Sequence, residues 1–170
     1  MRKLFITLFS MTLLFVLSGC GSGNKISLIP SQDTIELHSS WTDPGAKVIV
    51  GSSEKNIYSK DNVDTSKLGV YKLNYFYEDK IKIYHIIRYV IVVDQTNPII
   101  TLKPGVDTIK IGEEWVDSGA IVIDNSNENL TISVIGSIDN KTSGTYEIKY
   151  EATDSSGNKA IVIRYVDVIG

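Results

Sequence analysis

The stretch Trp115-Val116-Asp117-Ser118-Gly119-Ala120 decides the fold of this chain, because a copy of it, Trp41-Thr42-Asp43-Pro44-Gly45-Ala46, lies 74 residues upstream. Two further pairs repeat at offsets of 75 and 76 residues, namely Gly69-Val70-Tyr71 with Gly144-Thr145-Tyr146, and Arg88-Tyr89-Val90 with Arg164-Tyr165-Val166. Offsets that grow by single residues are typical of two copies of one unit that have gained insertions in loops. The sequence therefore predicts a tandem of two similar modules.

The beginning of the chain has the composition of a secretory leader. Arg2 and Lys3 precede a mainly apolar run over 4–17, and small residues follow before Cys20. As a helix this run would rise only about 21 Å, which is short of the roughly 30 Å hydrocarbon core of a bilayer. The pattern predicts a cleaved signal peptide over 1–19 rather than a permanent membrane span.

Leu17-Ser18-Gly19-Cys20 resembles a bacterial lipobox. The resemblance implies that the thiol of Cys20 carries lipid such as palmitate, that the leader is cut before it, and that the protein is anchored in the cell membrane facing outward. It favours this over a plain secretory signal or an uncleaved anchor. Since Cys20 is the only cysteine, no intramolecular disulfide and no structural cysteine cluster can form.

Charge is distributed unevenly along the chain. The whole sequence has 17 basic and 20 acidic residues, and removal of Arg2 and Lys3 with the leader leaves 15 basic residues and a net charge of −5. The stretch 25–93 has nine basic and eight acidic residues, whereas 94–170 has six and twelve. No basic stripe is present, so nucleic acid is excluded as an expected partner.

Alternating apolar and polar residues predict an all-β chain with two sandwiches. Tyr71, Leu73, Tyr75 and Tyr77 fall on one face of a strand, and the series Tyr146, Ile148, Tyr150 and Ala152 repeats the pattern. No stretch has a convincing helical period. We divide the chain into a signal peptide (1–19), a lipidated cysteine with its tether (20–24), a first module (25–93), a linker (94–98) and a second module (99–170).

The second module resembles the bacterial immunoglobulin-like repeat found in surface proteins and in some pesticidal crystal toxins. The residues that carry the resemblance are Asp94-x-Thr96-x-Pro98, Trp115-x-Asp117-x-Gly119-Ala120, Asp124, Leu130-Thr131, Gly144-Thr145-Tyr146 and Ala152-Thr153-Asp154-x-x-Gly157-Asn158. The first module keeps Trp41, Gly45-Ala46, Gly69 and Tyr71, but has Val50 in place of Asp124. The resemblance implies tandem immunoglobulin-like sandwiches that act as spacers or binding modules, with no shared catalytic activity.

The aromatic residues offer two interpretations. Trp41 and Trp115 could be exposed platforms for sugars, but their fixed place before a turn favours a role in the core or as its cap. Tyr84 and Tyr89 lie in a strand of unknown register and are the better candidates for an exposed contact.

One loop is dense in oxygen ligands of the kind that Ca²⁺ prefers. Asp124, Asn127 and Glu128 are its candidate ligands, within the acidic loop 124–129. The spacing of an EF-hand is absent, however, and Asp, Asn and Ser are ordinary turn residues. We therefore predict no metal and no other cofactor, with these three residues as the alternative.

Catalytic chemistry is not expected. His38 and His85 are the only histidines, neither is repeated in the second module, and no nucleophile-elbow motif is present. We interpret the chain as a non-enzymatic surface lipoprotein that binds the membrane through lipid on Cys20 and holds a protein or wall-glycan partner, with binding residues unknown. The alternatives are a structural spacer without a ligand and an accessory subunit of a membrane complex.

Overall fold

The computed structural model describes residues 23–170, and the leader and Cys20 lie outside that part. The first module contains β1 (Lys25–Leu28), β2 (Thr34–Glu36), β3 (Ala46–Val50), β4 (Ser53–Ile57), β5 (Gly69–Glu78) and β6 (Ile83–Val93). The second module contains β7 (Ile99–Leu102), β8 (Thr108–Lys110), β9 (Ala120–Ile123), β10 (Ser133–Ile135), β11 (Gly144–Thr153) and β12 (Lys159–Ile169). Within residues 23–170, no helix is long and apolar enough to cross a membrane.

Each module is built from two sheets. In the first module the strand orders are β1-β3-β4 and β2-β6-β5, and in the second they are β7-β9 and β10-β11-β12-β8. Neighbouring strands are antiparallel except that β2 runs parallel to β6 and β8 runs parallel to β12. This architecture confirms the predicted all-β class with two immunoglobulin-like sandwiches.

The long hairpins β5–β6 and β11–β12 supply most of each core. Leu73 and Tyr75 on β5 are fully buried, whereas Lys72 and Phe76 on either side of them point outward. This burial pattern confirms the predicted alternation. The corresponding strand β11 buries Ile148, Tyr150 and Ala152 in the same way.

The repeated Trp-x-Asp-x-Gly motif is explained by the aspartate. In the first module Asp43 Oδ1 accepts hydrogen bonds from Gly45 N at 2.8 Å and from the hydroxyl of Tyr75 at 2.5 Å. Gly45 has a φ of +84°, and a Cβ atom there would lie 2.6 Å from the carbonyl oxygen of Ile57, so a side chain is excluded. In the second module Asp117 bonds Gly119 and Tyr150 in the same manner.

A buried arginine joins the sheets in both modules. Arg88 is only 1% exposed, and its guanidinium donates to both carboxylate oxygens of Asp33 and to the carbonyl oxygens of Ile29 and Gly45. Arg164 donates to Asp107 and to the carbonyl oxygens of Lys103 and Gly119. This arginine clamp accounts for the repeated Arg-Tyr-Val stretch, whose role is not evident from the sequence.

The modules differ in the segment between their third strand and their long hairpin. In the first module β4 pairs with β3, so the segment belongs to the β1-β3-β4 sheet. In the second module the stretch that follows β9 is the acidic loop, and the later strand β10 pairs with β11 in the opposite sheet. Consequently β11 has neighbours on both sides, whereas β5 is an edge strand.

Candidate functional site

The repeated tryptophans pack against the cores of their own modules. Both are half-buried and contact the adjoining core cluster. The indole nitrogen of Trp41 donates to Gln32 O at 3.2 Å, and that of Trp115 donates to Val106 O at 2.8 Å. One side of Trp115 borders a shallow groove of about 260 Å³ with Ile138 and Asn140. The indole N–H bonds and core contacts favour the structural interpretation over the sugar platform.

The outward side of β5 and β6, which we call the outer face, carries several apolar side chains of the first module. Its apolar members are Val70, Phe76, Ile83, Ile87, Tyr89 and Ile91. Phe76 is 62% exposed, and its ring stacks on the imidazole of His85 with centroids 4.3 Å apart and planes 6° from parallel. His85 also lies 3.2 Å from the Oδ1 atom of Asn74. The stack holds Phe76 in place on the surface.

Of the two tyrosines that the sequence offers for exposed contact, one is exposed and the other is buried. Tyr89 is exposed on the outer face, opposite Lys72. Tyr84 is buried. Its hydroxyl accepts a hydrogen bond from Asn24 Nδ2 at 2.9 Å and donates one to Asp79 Oδ2 at 3.2 Å. The expectation for Tyr84 is wrong because its strand register turns this residue toward the sandwich interior.

A groove follows the free edge of β5 beside the outer face. It has a volume of about 530 Å³ and is lined by Tyr58, Lys60, Asp61, Asn74 and Phe76. Tyr58 is 63% exposed, so two aromatic rings border the same depression. A partner in this groove could combine apolar contact with hydrogen bonds to a carboxylate, an amide and an ammonium group.

Side chains rather than a strand satisfy part of the β5 edge. Asp61 Oδ2 accepts from Asn74 N at 2.7 Å and from Asn74 Nδ2 at 2.8 Å, and both bonds lower the pKa of the Asp61 carboxyl. The hydroxyl of Ser59 donates to Asn74 O at 2.9 Å. Because backbone groups of alternate residues point to the same edge, those of Phe76 also face the groove, and within residues 23–170 they meet no pairing strand there.

On the equivalent surface of the second module, β11 is polar, whereas β12 exposes the apolar residues Ile161, Tyr165 and Ile169. On β11 the outward residues are Thr145, Glu147, Lys149, Glu151 and Thr153. Glu151, at the position equivalent to Phe76, forms salt bridges with Lys149 and Lys159. Strand β10 covers the edge that is free in the first module. Both modules thus have apolar side chains on the outward side of their last strand. Among residues 23–170, the exposed Phe76 and the open edge beside it are features of the first module only.

The acidic loop does not bring the three predicted calcium ligands together. Asn127, which has a φ of +58°, is exposed, and its amide lies beside Asn125 O. Glu128 instead accepts hydrogen bonds from the backbone and hydroxyl of Ser155. Only Asp124 turns toward other acidic side chains.

Asp124 belongs to a group of three carboxylates that we call the junction cluster, together with Asp94 and Asp154. One carboxylate oxygen from each lies within 4.8 Å of the others. Asp94 comes from the linker, and the other two follow β9 and β11 of the second module. Asp94 and Asp154 are each 7% exposed. Burial, followed by the charges of the two neighbouring carboxylates, raises the pKa of Asp94.

Hydrogen bonds connect the two modules beside this cluster. Glu36 at the end of β2 accepts from Gln95 N at 3.0 Å, from the hydroxyl of Thr96 at 2.8 Å and from Asn125 Nδ2 at 3.2 Å. Asn158 Nδ2 donates to Asp94 O at 3.2 Å. Burial opposes ionisation of Glu36, but these donors prevail and lower its pKa. The linker is thus held between loops of both modules.

The two histidines are far from any arrangement of a nucleophile and its base. His38 is exposed in a turn with a φ of +62°, and His85 is engaged by Phe76 and Asn74. No serine or cysteine side chain within residues 23–170 hydrogen-bonds to either imidazole.

Comparison with known proteins gives one family, described as "Bacterial surface protein, Ig-like domain", which matches residues 30–92 and again 101–168. The two matches cover more than half of the chain and confirm the resemblance seen in the sequence. Such surface domains are typically non-enzymatic. No curated protein matches the chain.

Proposed function

The chain belongs to the family of bacterial surface proteins with Ig-like domains, and on that premise we propose that it is a membrane-anchored lipoprotein that binds a partner protein through its first module. The observation that carries the proposal is the apolar outer face beside the open edge of β5. Exposed apolar patches on soluble domains commonly mark protein contacts. The partner class follows from the composition of this surface.

The outer face suits a protein better than a glycan. Sugars are usually bound by one or two aromatic rings among many hydrogen-bonding groups, whereas this face adds the aliphatic residues Val70, Ile83 and Ile87 to its rings. These side chains offer dispersion and desolvation but no hydrogen bonds. The grouping of Tyr58, Asp61 and Asn74 in the groove leaves a wall glycan as the second candidate.

The open edge of β5 supports a specific mode of binding. An extended segment of the partner could pair with the backbone of Phe76 and continue the sheet, as strands do when they add to exposed edges. The second module fills the equivalent place with its own β10. Main-chain pairing would supply affinity, and contacts with Tyr58 and Phe76 would supply selectivity.

A photo-cross-linking experiment in the host cell tests this proposal. The cross-linking amino acid p-benzoylphenylalanine replaces Phe76 in one variant and the exposed Glu147, on the equivalent strand β11, in a matched control. We expect a light-dependent, protease-sensitive adduct from position 76 and none from position 147.

Each other outcome selects a different function. An adduct that survives protease but is removed by a wall-degrading hydrolase would indicate the glycan. Adducts at both positions would indicate non-specific crowding. The absence of any adduct at position 76 in cells that display the protein would favour the ligand-free spacer. An adduct with an integral membrane protein would identify the accessory-subunit role.

Anchoring through Cys20 is tested separately. If this thiol carries the lipid, Cys20→Ser should release the protein from the membrane fraction or leave the precursor uncut. A protein that is correctly cut and still membrane-bound after this substitution would contradict the lipoprotein assignment. The binding experiment stands apart from this result, because it reports only on the first module.

A further inference from the structure

The junction cluster places three carboxylates together without a compensating cation. Among residues 23–170, no lysine or arginine forms a salt bridge with Asp94, Asp124 or Asp154. Buried like charges at this separation repel one another strongly unless a proton or a metal ion neutralises them. The arrangement therefore lacks a positive partner.

Two buried oxygen atoms at the same place provide a second, independent observation. Asp124 Oδ1 and Asn125 Oδ1 are both inaccessible to solvent and have no hydrogen-bond donor. The amide of Asn125 lies between two carboxyls, because its N–H groups donate to Glu36 and to Asp94. Buried oxygens are normally satisfied, and one that lacks a donor costs about 1–3 kcal/mol. A cation would satisfy both.

We propose that the junction binds one Ca²⁺ ion through Asp94, Asp124 and Asp154, with the Asn125 side-chain oxygen as a neutral ligand. All these donors are hard oxygens, which suit Ca²⁺ and Mg²⁺ and not the softer metals that prefer histidine or cysteine. The ligands come from a linker and two loops, and such a set adapts to the irregular, water-completed shell of Ca²⁺ more easily than to the strict octahedron of Mg²⁺.

The first module shows that the fold itself does not require this cluster. At its corresponding end, Val50 stands at the position of Asp124, and Tyr84 stands at that of Ala160. Asn24, Tyr84 and Asp79 form a chain of hydrogen bonds there, and Asn24 Oδ1 accepts from Gly51 N at 2.8 Å. A hydrogen-bonded network with a single carboxylate thus closes one module, whereas the other has an unneutralised group of three carboxylates.

Calcium at this place would act on the geometry of the tandem. Asp94 belongs to the linker, and Glu36 of the first module holds the proposed ligand Asn125. An ion bound to Asp94 and to the other proposed ligands would oppose bending between the modules. It would thereby restrict the orientations in which the first module presents its outer face. This inference does not depend on the proposed partner or on the lipid.

Calorimetric titration of the detergent-solubilised full chain with CaCl₂ tests the site. Extracellular calcium modules commonly bind with a Kd of about 10⁻⁴–10⁻³ M, so a titration to about 10 mM covers the range. We expect one Ca²⁺ per chain, weaker binding of Mg²⁺, and a melting temperature that is higher in CaCl₂ than in EDTA. Asp124→Asn should weaken Ca²⁺ binding at least tenfold.

The matched control is Glu128→Gln, which removes the same charge from the same loop outside the cluster. It should bind Ca²⁺ as the parent chain does. In EDTA, Asp124→Asn should melt at or above the temperature of the parent, because it relieves repulsion while Ser126 keeps an acceptor. Absence of Ca²⁺ binding by the parent, unchanged binding by Asp124→Asn, or loss of binding in Glu128→Gln would each overturn the junction site.

Discussion

The two modules share an interior and differ on their surfaces. Both contain the aspartate–tyrosine pair beneath the tryptophan and the arginine clamp between the sheets. On the outside both modules expose a tyrosine, Tyr89 or Tyr165. However, Val70, Phe76 and Ile91 of the first module correspond to Thr145, Glu151 and Asp167 of the second. The shared residues therefore explain how each module folds, and the residues that differ are where the functions of the two modules are to be sought.

The ends of the modules show the same division. One end of the first module is closed by Asn24 and Tyr84, and the equivalent end of the second module gathers carboxylates. Neither arrangement is dictated by the strands that border this end, β3, β5 and β6 in one copy and β9, β11 and β12 in the other, because these are equivalent. The two proposals therefore assign a macromolecular contact to the surface of the first module and a cation to the end of the second.

The arginine clamp provides the largest expected effect and the strictest test of a shared interior. Arg88→Met and Arg164→Met would each leave a partly exposed carboxylate and two carbonyl oxygens without their donor, and each buried oxygen that lacks a donor costs about 1–3 kcal/mol. Urea unfolding should show a similar loss in both modules. The control Lys72→Met, at an exposed position, should change stability by less than about 0.5 kcal/mol. A large cost in one module alone would break the equivalence.

The tryptophans are expected to have the next largest effect. Trp41→Ala and Trp115→Ala remove half-buried rings that contact the core, so each should cost about 3 kcal/mol, at the lower end of the range for large aromatics. Thermal melts of the two variants should show losses of similar size. An unchanged melting temperature for Trp115→Ala would favour the alternative that this residue is a platform for sugars. The groove beside it would then be the candidate glycan site.

The buried tyrosine of the first module predicts a loss of stability in alkali. Burial, together with the hydrogen bond to Asp43, raises the pKa of Tyr75 to about 12, whereas the unfolded chain ionises near 10. The protonated form is thus favoured in the folded state, and its contribution is complete below pH 10 and disappears between pH 10 and 12. Tyr75→Phe should cost about 1 kcal/mol at pH 7 through its lost hydrogen bonds. It should also flatten this alkaline decline in urea unfolding, and an equally steep decline would exclude Tyr75 as its source.

The parts of the fold that the sequence predicts are those governed by local pattern. Alternation along β5 and β11 follows from a period of two residues, and the repeated Trp-x-Asp-x-Gly motif marks a turn that needs a glycine with positive φ. The role of Arg88 is missed because the residues around it in the sequence do not indicate which distant carbonyl oxygens its guanidinium will contact. Tyr84 is misjudged because strand register depends on pairing.

The junction cluster could not be predicted because its members come from three separate segments. Asp94, Asp124 and Asp154 are spaced by 30 residues and meet only after the sandwich forms. The sequence offers calcium candidates in one loop only, as an alternative to no metal, and of Asp124, Asn127 and Glu128 the structure brings only Asp124 into the cluster. A signal was present, since all three aspartates belong to the stretches that carry the family resemblance.

The claim that the outer face of the first module carries the function is tested most directly by changing one side chain of that face. The test chain has p-benzoylphenylalanine in place of Tyr89. In this chain, Phe76→Glu replaces the exposed ring of the outer face with the residue type that the second module has at the equivalent position, Glu151. We expect the yield of the protein adduct to fall about tenfold, equivalent to 1.4 kcal/mol, with an unchanged melting temperature. The control Glu147→Phe should leave the yield as it was. Full cross-linking in the Phe76→Glu chain would contradict the account.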